Sequence, residues 1–254
     1  MTADHTPQPE PGDRPVGMLV DGVETEARVD QRLIEETLLP ALSAMAARPR
    51  ARRRAFAFLV GPPGVGKSTL CAAVAQGARR RQPAPLEVAA LGIDGFHHPN
   101  AYLSTHHLRT DTGSVPLSAI KGAPETFDAW GYAALLTRLR EPADATVYAP
   151  GFERDLEQPI AAAVGVPPEV RLVVTEGNYL LLPGRPWSRA REALAETWLV
   201  EADDETRVRR LVARHVQFGR SPEAAAAWVA RSDEANARLI REQSVPADLV
   251  VELS

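Results

Sequence analysis

The feature that most limits how this chain can fold is the nine-residue run GPPGVGKST that begins at Gly61. An apolar run, Ala55–Val60, feeds into it, and a helical pattern through Ala78 follows. The spacing satisfies G-x-x-x-x-G-K-[ST] through Gly61, Gly66, Lys67 and Ser68. Glycines let a loop turn its N–H groups onto phosphate oxygens with no Cβ in the way. The helix that follows aims its N-terminal dipole at the same anion. Gly61, Gly64, Val65, Gly66, Lys67, Ser68 and Thr69 therefore read as a phosphate cradle. Lys67 is placed to reach the β- and γ-phosphates, and the Ser68 hydroxyl to bind Mg²⁺, so ATP and Mg²⁺ are the expected cofactors. No N-K-x-D guanine-reading pattern is present. Cys71, one turn into the helix, reads as a small buried residue.

Strand and helix signals alternate beyond the loop. Leu86–Ile93 reads as a strand ending at Asp94, Thr146–Ala149 as a brief strand, and Arg171–Thr175 as a buried strand ending at Glu176. Thr197–Val200 and Asp248–Val251 complete the set. Helices are expected over 30–47, 125–140, 204–218 and 222–241, the last with Ser221 as N-cap and Pro222 in its first turn. Phe127, Trp130, Ala134 and Leu135 are the expected inward face of the second of these. Strands spaced by helices argue a parallel sheet covered on both faces. Residues 1–15 are proline-rich and read as a disordered tail, with 16–254 as one domain that begins with a helix. Arg48–Arg54 reads as a solvated basic connector.

In an open α/β sheet, ligands sit beyond the carboxyl ends of the strands. Asp94 and Glu176 both stand there, each followed by glycine. A small-molecule kinase needs one carboxylate to accept a hydroxyl proton and another to position Mg²⁺. His97, His98, His106 and His107 form two adjacent pairs, and neighbours on a strand face opposite sides, so neither pair suits one metal.

Four segments in fixed order carry a family resemblance. They are Asp94–Phe96 with Pro99 and Asn100, KGAPETFD from Lys121, VYAPGFERD from Val147, and EGNYLL from Glu176. With the phosphate loop they resemble the phosphoribulokinase/uridine kinase family of P-loop kinases, nearest to its pantothenate kinase-like and nucleoside or fructose-transport kinase-like members. The resemblance spans roughly residues 55–252 and implies a mostly parallel five-stranded sheet with helices on both faces and an arginine-bearing lid. It implies Asp94 as catalytic base and Glu176 as the acid associated with Mg²⁺. The segment RHVQFGRS resembles the lid, which makes Arg214 and Arg220 the residues expected over the transferring phosphate. Arg207 and Arg209 read as a solvated face opposite Val208, Leu211, Val212, His215 and Val216.

Phe96, His97, Tyr148, Arg154, Asn178 and Asn236 are the expected acceptor contacts. Pantothenate kinases carry Tyr-Ser-His where this chain reads Tyr148-Ala149-Pro150. The uridine kinase pattern of a histidine two residues before an arginine is also absent. The expected acceptor is a small hydroxylated metabolite of the nucleoside, sugar or pantothenate-like kind, with pantothenate itself and the standard pyrimidine nucleosides disfavoured. A P-loop ATPase switch acting on a partner protein is the alternative.

Composition closes off other classes. A net charge of −4 is a poor basis for nucleic-acid binding. No run of 18 apolar residues spans a membrane, and an acidic, proline-rich start argues for a cytoplasmic protein. One cysteine excludes an internal disulfide. Of 29 basic residues only Lys67 and Lys121 are lysine, and both fall within the family pattern. A homodimer is compatible with these features.

Overall fold

A computed structural model of the chain describes residues 16–20, 23–27, 29–48, 53–111, 113–142, 144–192 and 196–253. The expected tail, 1–15, lies outside the described residues, as do 49–52 of the basic connector. A hairpin of β1 (Val16–Val20) and β2 (Val23–Ala27) comes first, then a π-wound turn, Leu33–Leu38, that runs into α1 (Leu39–Ala47). β3 (Ala55–Val60), α2 (Lys67–Arg80) and β4 (Val88–Gly92) follow. The next stretch holds α3 (Asn100–Thr105), the hairpin β5 (His107–Thr110) and β6 (Gly113–Pro116), and α4 (Ala129–Arg140). A second hairpin, β7 (Val147–Glu153) and β8 (Gln158–Val166), leads to β9 (Leu172–Gly177) and α5 (Trp187–Arg191). β10 (Glu196–Glu201), α6 (Asp204–Gln217), α7 (Pro222–Trp228), α8 (Glu234–Gln243) and β11 (Leu249–Glu252) complete the chain.

Five strands form a wholly parallel sheet in the order β11-β10-β3-β9-β4. The two central strands, β3 and β9, are buried at every residue, because helices cover both faces. Alternation along β3 divides the core. Phe56, Phe58 and Val60 pack with Tyr132 and Leu136 of α4 and with Tyr179. Ala57 and Leu59 pack on the other face with Leu70 and Val74 of α2 and with Leu38, Leu42 and Met45. The chain leaves β3 toward β4 on one side and later returns to β10 on the other. That reversal opens a crevice beyond the carboxyl ends of the central strands, where this type of sheet binds ligands.

Several expectations need correction. Helix α4 starts later than expected, at Ala129, because the Asp128 carboxylate caps it by accepting the Gly131 N–H at 2.8 Å. Its inward face also differs from the expected one: Tyr132, Ala133, Leu136 and Leu139 face the core, whereas Trp130 is 56% exposed and Ala134 is exposed. The brief strand at Thr146–Ala149 is the first half of an antiparallel hairpin that continues through Pro150, where the register shifts. The long helix from 222 to 241 is interrupted by a π-wound turn, Val229–Asp233, that buries Ser232 and Asp233. Its Ser221 cap is present, accepting the Ala224 N–H. Arg54 is not solvated: it is 4% exposed and donates to the carbonyls of Val170, Leu139 and Pro167 at 3.0, 2.9 and 3.1 Å. Cys71 is buried as expected, its thiol 3.7 Å from the Val174 carbonyl. No helix among the described residues is long and apolar enough to cross a membrane.

Candidate active site

The loop after β3 enters α2 at Lys67. Gly64 and Gly66 adopt φ of 83° and 101°, a region that side chains with a Cβ rarely enter. A Cβ on Gly64 would also lie 2.7 Å from the Arg207 carbonyl oxygen, so the loop rests directly on α6. Lys67 is buried, and its ammonium donates to the Pro62 carbonyl at 2.9 Å across the loop. Burial pushes that amine down to about 8, against the pull of Glu176 and Asp94.

Ser68, one residue on, donates its hydroxyl to Glu176 Oε1 at 3.0 Å. Glu176 is the penultimate residue of β9 and is 5% exposed. A hydroxyl and a carboxylate side by side at the phosphate loop suit Mg²⁺, a hard cation usually held by one or two protein oxygens plus substrate phosphates. Among the described residues no group of three or more His, Cys, Asp or Glu side chains could hold a metal by itself.

Asp94 stands in the 3₁₀ turn Ile93–Phe96 that follows β4. Its Oδ2 accepts from Arg154 Nη2 at 2.8 Å, and Arg154 lies over the Phe152 ring at 4.8 Å. Burial pushes the Asp94 carboxyl up, but Arg154, His97 and Arg214 together outweigh it and hold it at about 2. His97 is bonded through Nδ1 to the Asp94 carbonyl at 3.1 Å and packs against Phe127. Burial lowers its imidazole more than Asp94 raises it, which favours the neutral ring.

One cleft of about 360 Å³ collects these groups. Lys67, Ser68, Asp94 and Glu176 line its phosphate side. His97, Arg154 of the loop after β7, Asn178 just beyond β9 and Asn236 of α8 line it as well. Arg214 and Arg220 line it from α6 and the turn beyond, with the Arg220 guanidinium stacked on Trp228 at 4.1 Å. Two expected acceptor contacts stand elsewhere. Phe96 packs edge-on against Tyr132 beside the core, and Tyr148 points outward from β7 at 58% exposure, because alternation there turns Val147 and Ala149 inward.

The structure also brings Lys121, His215 and Asp233 to the cleft, beyond the expected site residues. Lys121 donates to Asn100 Oδ1 at 3.0 Å and to the Glu157 carbonyl at 2.7 Å, joining α3 to the hairpin turn. Its rarity as one of two lysines was the available signal. His215 and Asp233 pair at 3.0 Å at the mouth of the cleft. Arg207, expected on a solvated face, is fully buried, whereas Arg209 is exposed as expected. Residues 207, 211 and 214 share one helical face, and that spacing could have placed Arg207 with buried Leu211.

No protein-family model matches the chain. The uncharacterized protein YggC of Escherichia coli K12 is 32% identical over 241 residues, 94% of this chain and 95% of its own. C227.14 of Schizosaccharomyces pombe, whose name places it among uridine kinases, is 30% identical over 79% of this chain and 84% of its own. The crystal structure of a protein from Silicibacter sp. TM1040, titled as a fructose transport system kinase, superposes with a TM-score of 0.72. It is 33% identical and matches 84% of this chain and 98% of that one. Together with the phosphate loop, the parallel sheet and the carboxylates at its strand ends, these likenesses make the chain a member of the uridine kinase/phosphoribulokinase type of P-loop kinases.

Proposed function

We propose that this chain transfers the γ-phosphate of ATP to a hydroxyl of a small metabolite of the nucleoside, sugar or pantothenate-like kind. The observation that carries the reading is Asp94, a carboxylate set in the same cleft as Lys67 and the Ser68–Glu176 pair. Beside it His97, Phe127, Phe152, Asn178 and Asn236 wall a space that suits an acceptor next to the phosphate loop. A hydrolytic switch needs a positioned water there rather than a walled pocket.

The chain's own groups divide the work. Backbone N–H groups of the loop and Lys67 bind the phosphates and orient the γ-phosphoryl group. Ser68 and Glu176 would hold Mg²⁺, which when bound offsets charge on the phosphate oxygens. Asp94 accepts the hydrogen bond of the acceptor hydroxyl, lines its oxygen up with the γ-phosphorus, and receives the proton as the new O–P bond forms and the bond from the γ-phosphorus to the bridging oxygen of the departing ADP breaks. A carboxyl held at about 2 is a weak base. Its main contribution is therefore orientation, with proton acceptance late in the transfer. Arg214 and Arg220 balance charge on the transferring group, and closure of α6 and the following turn excludes water. The test is ATP consumption measured across a panel of nucleosides, sugars and hydroxy acids. At least one compound is expected to stimulate turnover and appear phosphorylated. Turnover indifferent to every compound, and raised only by a protein partner, overturns the reading in favour of the switch.

A further inference from the structure

The first two residues after Gly61 are Pro62 and Pro63, which have no N–H to offer a phosphate. The first backbone donor is therefore Gly64. In a trans peptide the carbonyl and the next N–H point in opposite directions. Whatever holds the Pro63 carbonyl outward thus aims the Gly64 N–H inward. Arg207 Nη1 donates to the Pro63 carbonyl at 3.3 Å, and one turn on, Arg210 Nη1 reaches the Val65 carbonyl at 3.5 Å. The backbone contact is as close, since the space a Gly64 Cβ would need is filled by the Arg207 carbonyl and the Leu211 side chain.

The Arg207 guanidinium is itself fixed. Nε and Nη2 donate to Asp204 Oδ1 at 3.2 and 3.0 Å, and Nη2 also donates to Glu234 Oε1. Asp204 is gripped in turn by Arg241 of α8. These carboxylates neutralise the buried charge, so what Arg207 supplies to the cleft is geometry rather than potential. Glu234 opens α8, two residues before Asn236, which lines the acceptor side. A single side chain therefore joins the phosphate loop, α6 and the helix facing the acceptor.

We propose that Arg207 is a positioning residue for phosphoryl transfer. It holds the Pro63 carbonyl outward so that the Gly64 N–H faces the phosphates, and it ties that loop to α8. The proposal rests on the kinase reading above. Arg207→Lys keeps the charge but loses the planar fork that reaches three partners at once. Exposed Arg209→Gln is the control, and Glu234→Gln loosens the far anchor while leaving Arg207 in place. Three readouts are compared: hydrogen exchange of residues 64–69 without nucleotide, ATP affinity, and melting temperature. In Arg207→Lys, loop exchange rises and ATP affinity falls by about tenfold or more, as a misplaced binding loop predicts, while melting changes by only a few degrees. Glu234→Gln shows the same pattern more weakly, and Arg209→Gln matches wild type. Unchanged loop exchange and affinity in Arg207→Lys overturn the proposal. So does a rise in exchange spread evenly over the chain in step with lower melting, which marks a merely structural residue. A wild type that binds no ATP removes the kinase reading instead, and the nucleotide-free exchange still judges the brace.

Discussion

Replacing Arg154 with methionine isolates what sets the charge state of Asp94. Methionine keeps an unbranched stem over Phe152 and removes the guanidinium 2.8 Å from Asp94 Oδ2. The pair is only partly screened, with side-chain exposures of 14% and 23%. An arginine this close commonly lowers an aspartate pKa by about 1 to 3, and one pKa step is about 1.4 kcal/mol. Burial pushes Asp94 the other way, so without Arg154 its titration is expected to rise from about 2 to between about 3 and 5. The assay is kcat/KM for the acceptor against pH, which reports groups of the free enzyme. Wild-type activity should stay flat down to about pH 4.5, and Arg154→Met should fall away below about pH 5. The sign for stability is the same. A depressed carboxylate stabilises the fold above its unfolded value of 3.8, and that contribution is lost as pH falls toward about 2. The stability gap between wild type and Arg154→Met should therefore close on acidification. Identical acid limbs in the two proteins would refute the argument that Arg154 holds Asp94 ionised.

Other expectations follow from the same site. Lys67 loses its proton as pH rises through about 8, so kcat/KM for ATP should decline above that pH; a flat profile to pH 9.5 would count against the buried amine. Lys67→Ala should cut turnover by orders of magnitude with the fold intact, as judged by circular dichroism. If α6 and the turn to α7 close on nucleotide, residues 210–225 should gain protection from hydrogen exchange with ATP, and Arg214→Ala with Arg220→Ala should lose that gain. Arg54→Ala leaves three carbonyls, two of them in buried hydrogen bonds, without their donor, and a loss of about 3 kcal/mol is expected in denaturant unfolding.

Much of this architecture is legible in the chain because its strongest signals are local. The glycine loop, the apolar strands and the acids at their ends each follow from a few neighbouring residues, and they place Lys67, Ser68, Asp94 and Glu176 in one cleft. What the sequence hides depends on long-range pairing or on helix phase. The β7–β8 hairpin carries Pro150, Gly151 and Pro159, which read as strand breakers, and an alanine run without alternation. Its pairing shows only in three dimensions, and it decides that Arg154 faces Asp94 while Tyr148 faces away. Which face of α4 meets the sheet is set by packing against β3 and Tyr179, and it leaves Trp130 outward. Residue type alone assigns Arg207 and Arg54 to solvent. Both are buried because carbonyl oxygens or carboxylates meet their guanidinium groups, and no short-range pattern records that.

The most direct measurement pairs ATP affinity with acceptor phosphorylation in wild type and Asp94→Asn, using whichever hydroxyl compound best stimulates turnover. Asparagine keeps the size of Asp94 but turns one of its two acceptor oxygens into an amide donor and removes the charge, so it orients a hydroxyl poorly and cannot take its proton. ATP affinity should change little, because Asp94 is held by Arg154 of the β7–β8 hairpin rather than by the phosphate loop, and product formation should fall by about 100-fold or more. Undiminished product from Asp94→Asn, or a wild type whose ATP use no hydroxyl compound stimulates, would contradict the account.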